Sequence, residues 1–290
     1  MKVSKRLYSY YLIWPALLIY SVFFVLPALT GLFYSFTDWR LDREAVKFIG
    51  WDNFERIFTD RTLLLAMKNT AIFAIVTVLG KNLLGIVLAV GLNMKLKSKN
   101  LLRAIFYSPS ILSVLVISIV FTPMLRSDGT INRIFEAVGL PSLSQAWLTN
   151  PAIVIWTVAF VSIWQHTGFQ MAIYLAGLQS ISKEYYEAAT IDGAGSWRSF
   201  RSITIPLLLP AININLMLTL IGGLKVFSEV FVLTGGGPGN ASQVVGTIIL
   251  RSFGEGSWGL GTAVNTLLFA AVTIIAIPLL IFMRRKEVSE

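Results

Sequence analysis

The sequence predicts an all-α integral membrane protein with six transmembrane helices and both termini on the cytoplasmic side. Three observations predict it. Of 290 residues, 55% are hydrophobic and only 13% are charged, too few charges to cover a soluble domain of this size. The charges cluster between long apolar runs, the pattern of a chain whose solvent is lipid. Six of those runs supply the roughly 20 helical residues that a hydrocarbon core of about 30 Å requires.

The first run, about 11–36, follows Lys2, Lys5 and Arg6. A basic start ahead of an apolar run resembles a secretory signal. This run far exceeds an h-region of about 7–15 residues, and no small-residue cleavage site closes it, so it is read as a retained span. The second and third runs, about 65–93 and 101–125, are separated by Lys95, Lys97 and Lys99. The remaining three cover about 151–178, 206–233 and 262–283. Pro15, Pro27, Pro109, Gly222, Gly223 and Pro278 lie inside these runs. They do not argue against helices, because Pro and Gly are commoner in membrane helices than in soluble ones.

Orientation comes from the basic residues. With the N-terminus inside, the cytoplasmic segments carry Lys2, Lys5 and Arg6, then Lys95 to Arg103, then Lys183, Arg198 and Arg201, then Arg284, Arg285 and Lys286. The outer segments carry fewer, which favours both ends inside. The same bias accounts for the formal charge of +9, which in a soluble chain would point to nucleic acid. The longest outer loop, about 37–64, contains Trp39, Phe48, Trp51, Phe54 and Phe58. These aromatics sit at the headgroup level or pack on neighbouring helices.

Catalytic chemistry finds little to work with. The chain has no cysteine and one histidine, His166, which removes disulfides, thiol catalysis and multi-histidine metal sites. The lone histidine also gives no basis for a Ser-His-Asp arrangement. Gly80-Lys81 lacks the upstream glycine and the following Ser or Thr of a phosphate-binding loop. The chain is therefore read as non-catalytic, with no cofactor of its own.

The most informative stretch is the polar segment at about 179–205. Lys183 to Asp192 fits a helix that places Glu184, Glu187 and Ile191 on one face. Ala188 and Ala189 are small enough for another surface to approach closely. Gly193 and Gly195 supply a bend, Ser196 caps a second short helix, and Pro206 opens the next span, where a missing N–H costs least. By pattern alone this is either a solvated connector or a docking element.

Glu187, Ala188, Ala189, Asp192, Gly193 and Ala194, followed by Phe200, Ile203, Pro206 and Pro210, closely resemble the EAA loop of ABC importer permeases. That loop has the form E-A-A-x-x-D-G-A, then F-x-x-I-x-x-P-x-x-x-P. Phe106-Tyr107-Ser108-Pro109, Gly168-Phe169, Leu224-Lys225-Val226-Phe227 and Thr234-Gly235-Gly236-Gly237-Pro238 extend the resemblance over nearly the whole chain. They are similar to the maltose, multiple-sugar and glycerol-phosphate branch, in its first of two paired permeases. The resemblance implies a type I ABC importer permease fold in a bacterial or archaeal cell membrane. It implies a second, homologous permease, two nucleotide-binding ATPase subunits that hold ATP-Mg, and an extracytoplasmic substrate-binding protein. Glu187 is then a contact to the ATPase, Gly193 the bend, and Ala188 and Ala189 close-packing positions.

Polar residues inside spans usually face a bundle interior or a pathway. Trp164, Gln165, His166, Phe169 and Gln170 combine aromatic faces with amide groups, which suits sugar hydroxyls and C–H surfaces. Hydrogen bonding between helices is the other reading of the same residues. Lys225 and Glu229, four apart, either line the pathway or neutralise each other as an i, i+4 pair. Asn265, Asn213, Asn215, Lys81 and Asn82 complete the set. The expected activity is ATP-driven import of a sugar or oligosaccharide. The alternatives are a different cargo, such as glycerol phosphate, or a secondary transporter, which would need ion relays or inverted repeats.

Overall fold

The computed structural model describes residues 13–43, 45–94 and 96–285. Lys2, Lys5, Arg6, Lys95 and Lys286, which helped to set the expected orientation, lie outside the described residues. The described chain forms two compact units, one from the residues up to 60 together with 248–267, the other from 61–247 together with 268 onward.

In the first unit, α1 (Ile13–Tyr34) is apolar on every face and buries none of its residues. Such a helix requires an apolar surround. A π turn at Ser21–Val25, closed by the Leu26 N–H on the Ser21 carbonyl, precedes Pro27. Proline lacks an N–H and crowds the carbonyl four residues back, and the wider turn relieves both. After α1 the chain folds into a small loop domain. The Asn53 amide, on α2 (Asp52–Thr59), donates to the carbonyls of Ser35 (2.9 Å) and Thr37 (2.8 Å). Phe36 packs against Trp51 and Phe54 at 5.2 Å each, while Phe48 and Trp51 stay largely exposed. The loop aromatics thus pack on one another and still present rings outward. Asp38 accepts from the Lys47 N–H at 2.7 Å and pairs with Arg43. The Lys47 backbone bond, aided by Arg43, holds the Asp38 carboxyl below its usual range.

The second unit is built on α3 (Arg61–Asn93), α7 (Val154–Ser180) and α9 (Ser196–Leu224), which pack on one another. One core gathers Phe73, Phe121, Val158, Val161, Val230 and Val244. A second gathers Ala89, Met171, Tyr174, Leu178, Leu208 and Ala211. Between these helices run α4 (Lys99–Tyr107), a 3₁₀ turn at Ser108–Ile111, α5 (Val114–Met124) and α6 (Thr130–Ala137). Then come α8 (Lys183–Ile191) and α10 (Ser228–Thr234), while α11 (Val245–Gly254) and α12 (Trp258–Arg284) each contribute residues to both units.

Several expectations change here. The segment expected at 101–125 is two helices meeting at 95°. Pro109 opens the tight turn, Leu112 is extended, and the Ser113 hydroxyl caps α5 by accepting from the Val116 N–H. The span expected at 206–233 starts earlier and stops sooner. Its helix begins at Ser196 and runs through a second π turn at Phe200–Thr204, which precedes Pro206 as the first precedes Pro27. It ends at Leu224, and Lys225–Phe227 leave the helix before α10. Ser196 is the first helical residue and its cap is Gly195, without a side-chain bond.

By length and composition, four described helices can cross a membrane: α1, α3, α9 and α12. The bent pair α4–α5 makes a fifth only if it is one crossing. Helix α7 is as long as α12 but is not among the four, for a physical reason. It buries more than half of its residues, including Ser162, Gln165, Thr167 and Gln170, so its polar groups face protein and it need not be uniformly apolar.

Candidate functional site

The polar segment at 179–205 folds as two helices joined by a defined cap. Ser182, extended, accepts from the Glu184 N–H through its hydroxyl and starts α8. Helix α8 ends in a Schellman motif. Gly193 is left-handed at φ 74°, its N–H donates to the Thr190 carbonyl (3.1 Å), and the Ala194 N–H donates to the Ala189 carbonyl (2.8 Å). This is the bond pattern that terminates a helix with glycine at the turn, and it assigns geometry to Ala189, Gly193 and Ala194. The Tyr186 and Thr204 hydroxyls meet at 3.0 Å, and Thr204 is buried, so α8 is clipped to the base of α9.

What the segment presents outward is mixed in character. Ile191 is 86% exposed and Trp197 74%, with Tyr185 half-exposed. Trp197 stacks on Phe200 at 5.8 Å. Glu187, Ala188 and Asp192 are exposed, and the Glu187 carboxylate has no hydrogen bond or ion pair among the described residues. Exposed apolar side chains therefore stand beside an unpaired acid, on a helix pair joined behind by the Tyr186–Thr204 hydroxyl contact.

Inside the spans the structure divides the candidate pathway residues. Gln165 is 1% exposed. Its side-chain amide donates to the Leu112 carbonyl (2.9 Å), and its main-chain carbonyl accepts from the Ser110 hydroxyl (2.8 Å). One turn on, a Cβ added to Gly168 would lie 2.0 Å from the Phe106 carbonyl oxygen. The two short motifs at 106–109 and 168–169 are thus one feature: α7 grips the bend between α4 and α5. Gln170 is buried, with the Asn215 side-chain amide donating to its main-chain carbonyl at 3.2 Å. Beside it the Tyr174 hydroxyl donates to Asn82, and the Asn82 amide donates to the Thr219 hydroxyl at 2.9 Å. The Gln165 side-chain amide is thus tied within the chain, while the side-chain oxygens of Gln165 and Gln170 are buried without a hydrogen-bond partner.

Glu229, in the first turn of α10, does not pair with Lys225, because the helix that would align them stops at Leu224. Lys225 is exposed. The Glu229 carboxylate instead receives the Ser162 hydroxyl at 3.4 Å and lies within electrostatic reach of Lys81 and His166. His166 is half-buried and its Nδ1 is 3.0 Å from the Ser162 carbonyl. Three helices thereby place Lys81, His166 and Glu229 within electrostatic reach of one another, without a direct ion pair among them. Trp164 leans on Phe121 at 5.0 Å and remains 44% exposed. Phe169 and Asn265 are exposed as well.

Ser162, Tyr174 and Thr219 were not singled out from the sequence. A signal existed for two of them: Ser162, His166, Gln170 and Tyr174 recur every fourth residue, one stripe along α7. For Thr219 the sequence offers no comparable mark.

Similarity to known proteins agrees with this geometry. A family model described as binding-protein-dependent transport system inner membrane component matches residues 81–285. The multiple sugar-binding transport system permease protein MsmF of Streptococcus mutans is 32% identical over 288 residues, 99% of each chain. The trehalose/maltose transport system permease protein MalF of Thermococcus litoralis is 32% identical, over 94% of this chain and 92% of that one. A chain of the crystal structure of a bacterial ABC transporter involved in import of the acidic polysaccharide alginate superposes with a TM-score of 0.82. The two are 26% identical, over 95% and 94% of their lengths.

Proposed function

The chain belongs to the binding-protein-dependent transport system inner membrane component family, and from that premise we propose that it is the sugar-translocating permease of an ABC importer. It is a multi-pass inner-membrane subunit without catalytic groups. A binding protein delivers cargo and a separate ATPase supplies the energy. The observation that carries the coupling role is the segment 183–204: a rigid helix pair, braced by Tyr186 and Thr204, that turns Glu187, Ile191 and Trp197 outward. The sugar assignment follows the transport systems named for its relatives.

In this reading the chain crosses the membrane six times with both ends in the cytoplasm, α7 and the α4–α5 pair being the two crossings beyond the four apolar helices. It pairs with a second, homologous permease, and two ATP-Mg-binding subunits dock on the coupling segments. Binding of nucleotide moves the segment, and the pathway opens to the other face because the two conformations bind nucleotide-loaded ATPase unequally. Of the candidate pathway residues, Trp164, Phe169, Lys225 and Asn265 are exposed on the chain and free to meet cargo. The Gln165 side-chain amide ties α7 to Leu112, whereas Gln170 is tied through its main-chain carbonyl and keeps a buried, unpartnered side-chain oxygen. His166 and Glu229 belong to the internal charge cluster.

The test uses the complete importer in proteoliposomes with its binding protein. E187A should weaken ATPase association and uptake together, with the permease still inserted. A sugar panel offered to the binding protein should yield one class that stimulates ATP hydrolysis. Normal assembly and uptake in E187A would overturn the coupling assignment; stimulation by no sugar would overturn the cargo.

A further inference from the structure

At the coupling end of α9, a groove of about 400 Å³ lies between α9 and the last turns of α12. Its lining is mostly apolar, with Ile214, Met217, Leu218 and Leu280, and carries one cation, Arg284. Ile214 and Leu218, four residues apart on one face of α9, are each about half exposed (53% and 47%). The helices are tied beneath the groove by the Asn213 amide, which donates to the Met283 carbonyl at 3.4 Å. Pro210 and Pro278 interrupt the hydrogen-bond ladders of the two helices near this point, which lets their surfaces part.

Arg284 and Arg285 are both exposed, and neither has an acidic partner among the described residues. They stand at the end of a membrane helix, where the hydrocarbon gives way to headgroups. The groove is also continuous with the coupling segment, since Pro210 lies within two turns of Thr204 on the same helix.

We propose that this groove is a binding site for one anionic phospholipid, with an acyl chain along Ile214, Leu218 and Leu280 and the phosphate on Arg284. An apolar trough alone would accept any chain. The unpaired cations at one end, at headgroup depth, select net negative charge. A helix of a partner protein would fill the walls but leave Arg284 without a counter-charge. The proposal rests on the reading of α9 and α12 as membrane-spanning, with the coupling segment at one membrane face.

The experiment uses the complete importer in nanodiscs of phosphatidylcholine with and without phosphatidylglycerol, followed by release and native mass spectrometry. Wild type should retain phosphatidylglycerol in preference to phosphatidylcholine. R284Q should reduce that preference severalfold with the complex intact, and L218W, which fills the trough, should reduce retention of either lipid. A photoreactive side chain placed at Ile214 should cross-link to lipid. Equal lipid selectivity in wild type and R284Q, unchanged retention in L218W, or cross-linking at Ile214 to the partner permease would each overturn the proposal. Because the chain lacks cysteine, labelling of S199C by a membrane-impermeant maleimide in sealed and inverted vesicles reports the topology separately. Labelling from both faces would refute the membrane reading itself, whatever the lipid result.

Discussion

Gly193 is the position where a small change should have a calculable effect on coupling. Its φ of 74° places it in the left-handed region, and a Cβ added there would meet nothing within 4 Å. Replacement by alanine therefore adds no clash; the whole penalty is backbone strain, about 1–2 kcal/mol for a residue other than glycine. That penalty acts on the cap in which Gly193 and Ala194 donate to Thr190 and Ala189, shifting its population against uncapped forms by roughly five- to thirtyfold. Asparagine tolerates this conformation better than other residues, and a β-branched residue tolerates it worst. The expected order of coupling is Gly, then Asn, then Ala, then Val. The assay is sugar imported per ATP hydrolysed in proteoliposomes, with amide hydrogen exchange at Ala194 as the local readout. If G193V couples normally while Ala194 protection falls, the cap is irrelevant to coupling; if protection is unchanged, the strain argument itself is wrong.

Other positions make sharper or milder demands. At Gly168 the problem is steric, because an added Cβ would lie 2.0 Å from the Phe106 carbonyl; G168A should displace the α4–α5 bend and lower complex yield, and wild-type yield with full uptake would contradict the packing. In the charge cluster, K81M and E229Q should each lower the melting temperature of the assembled complex, while the double variant should lose less than their sum, with a coupling of about 0.5–3 kcal/mol; strict additivity would mean that the two charges do not compensate each other. In the loop after α1, Asp38 has a carboxyl held below the usual 3.8, so its contribution to loop order is complete above that value and is lost as pH falls through the lower folded value. Limited proteolysis of residues 38–47 should therefore quicken only at strongly acid pH in wild type, and already at neutral pH in D38N; identical profiles would remove Asp38 from the argument.

Much of this was legible in the sequence because it is local. Apolar length marks α1, α3 and α12, and Glu187 to Ala194 spell a helix, its glycine turn and its exit in order. Long-range pairing was not legible. Gln165 reads as a polar group available to cargo until Leu112, 53 residues away, is found to take its amide. Lys225 and Glu229 read as a helical pair only on the assumption that the helix continues, and it stops at Leu224. Helix α7 is blurred for a related reason: hydropathy scores a helix as if every face met the same solvent, whereas α7 turns polar groups to α3, α9 and the bend at 110–112.

The continuity of α9 bears on how force would travel. If Pro206 began the span, the coupling segment would join the membrane helix through a hinge, and movement at the surface would dissipate there. Instead one helix runs from Ser196 to Leu224, 29 residues, or roughly 44 Å at about 1.5 Å per residue. Pro206 is absorbed without a break because the π turn at Phe200–Thr204 widens the ladder just ahead of it. Trp197 and the break at Lys225–Phe227 are therefore the two ends of a single rod. Beyond the break sits Glu229, which receives the Ser162 hydroxyl and lies within electrostatic reach of Lys81. If Ser196–Leu224 moves as one element in the proposed cycle, a displacement at Trp197 would reach the break at Lys225–Phe227, beside Glu229 on α10.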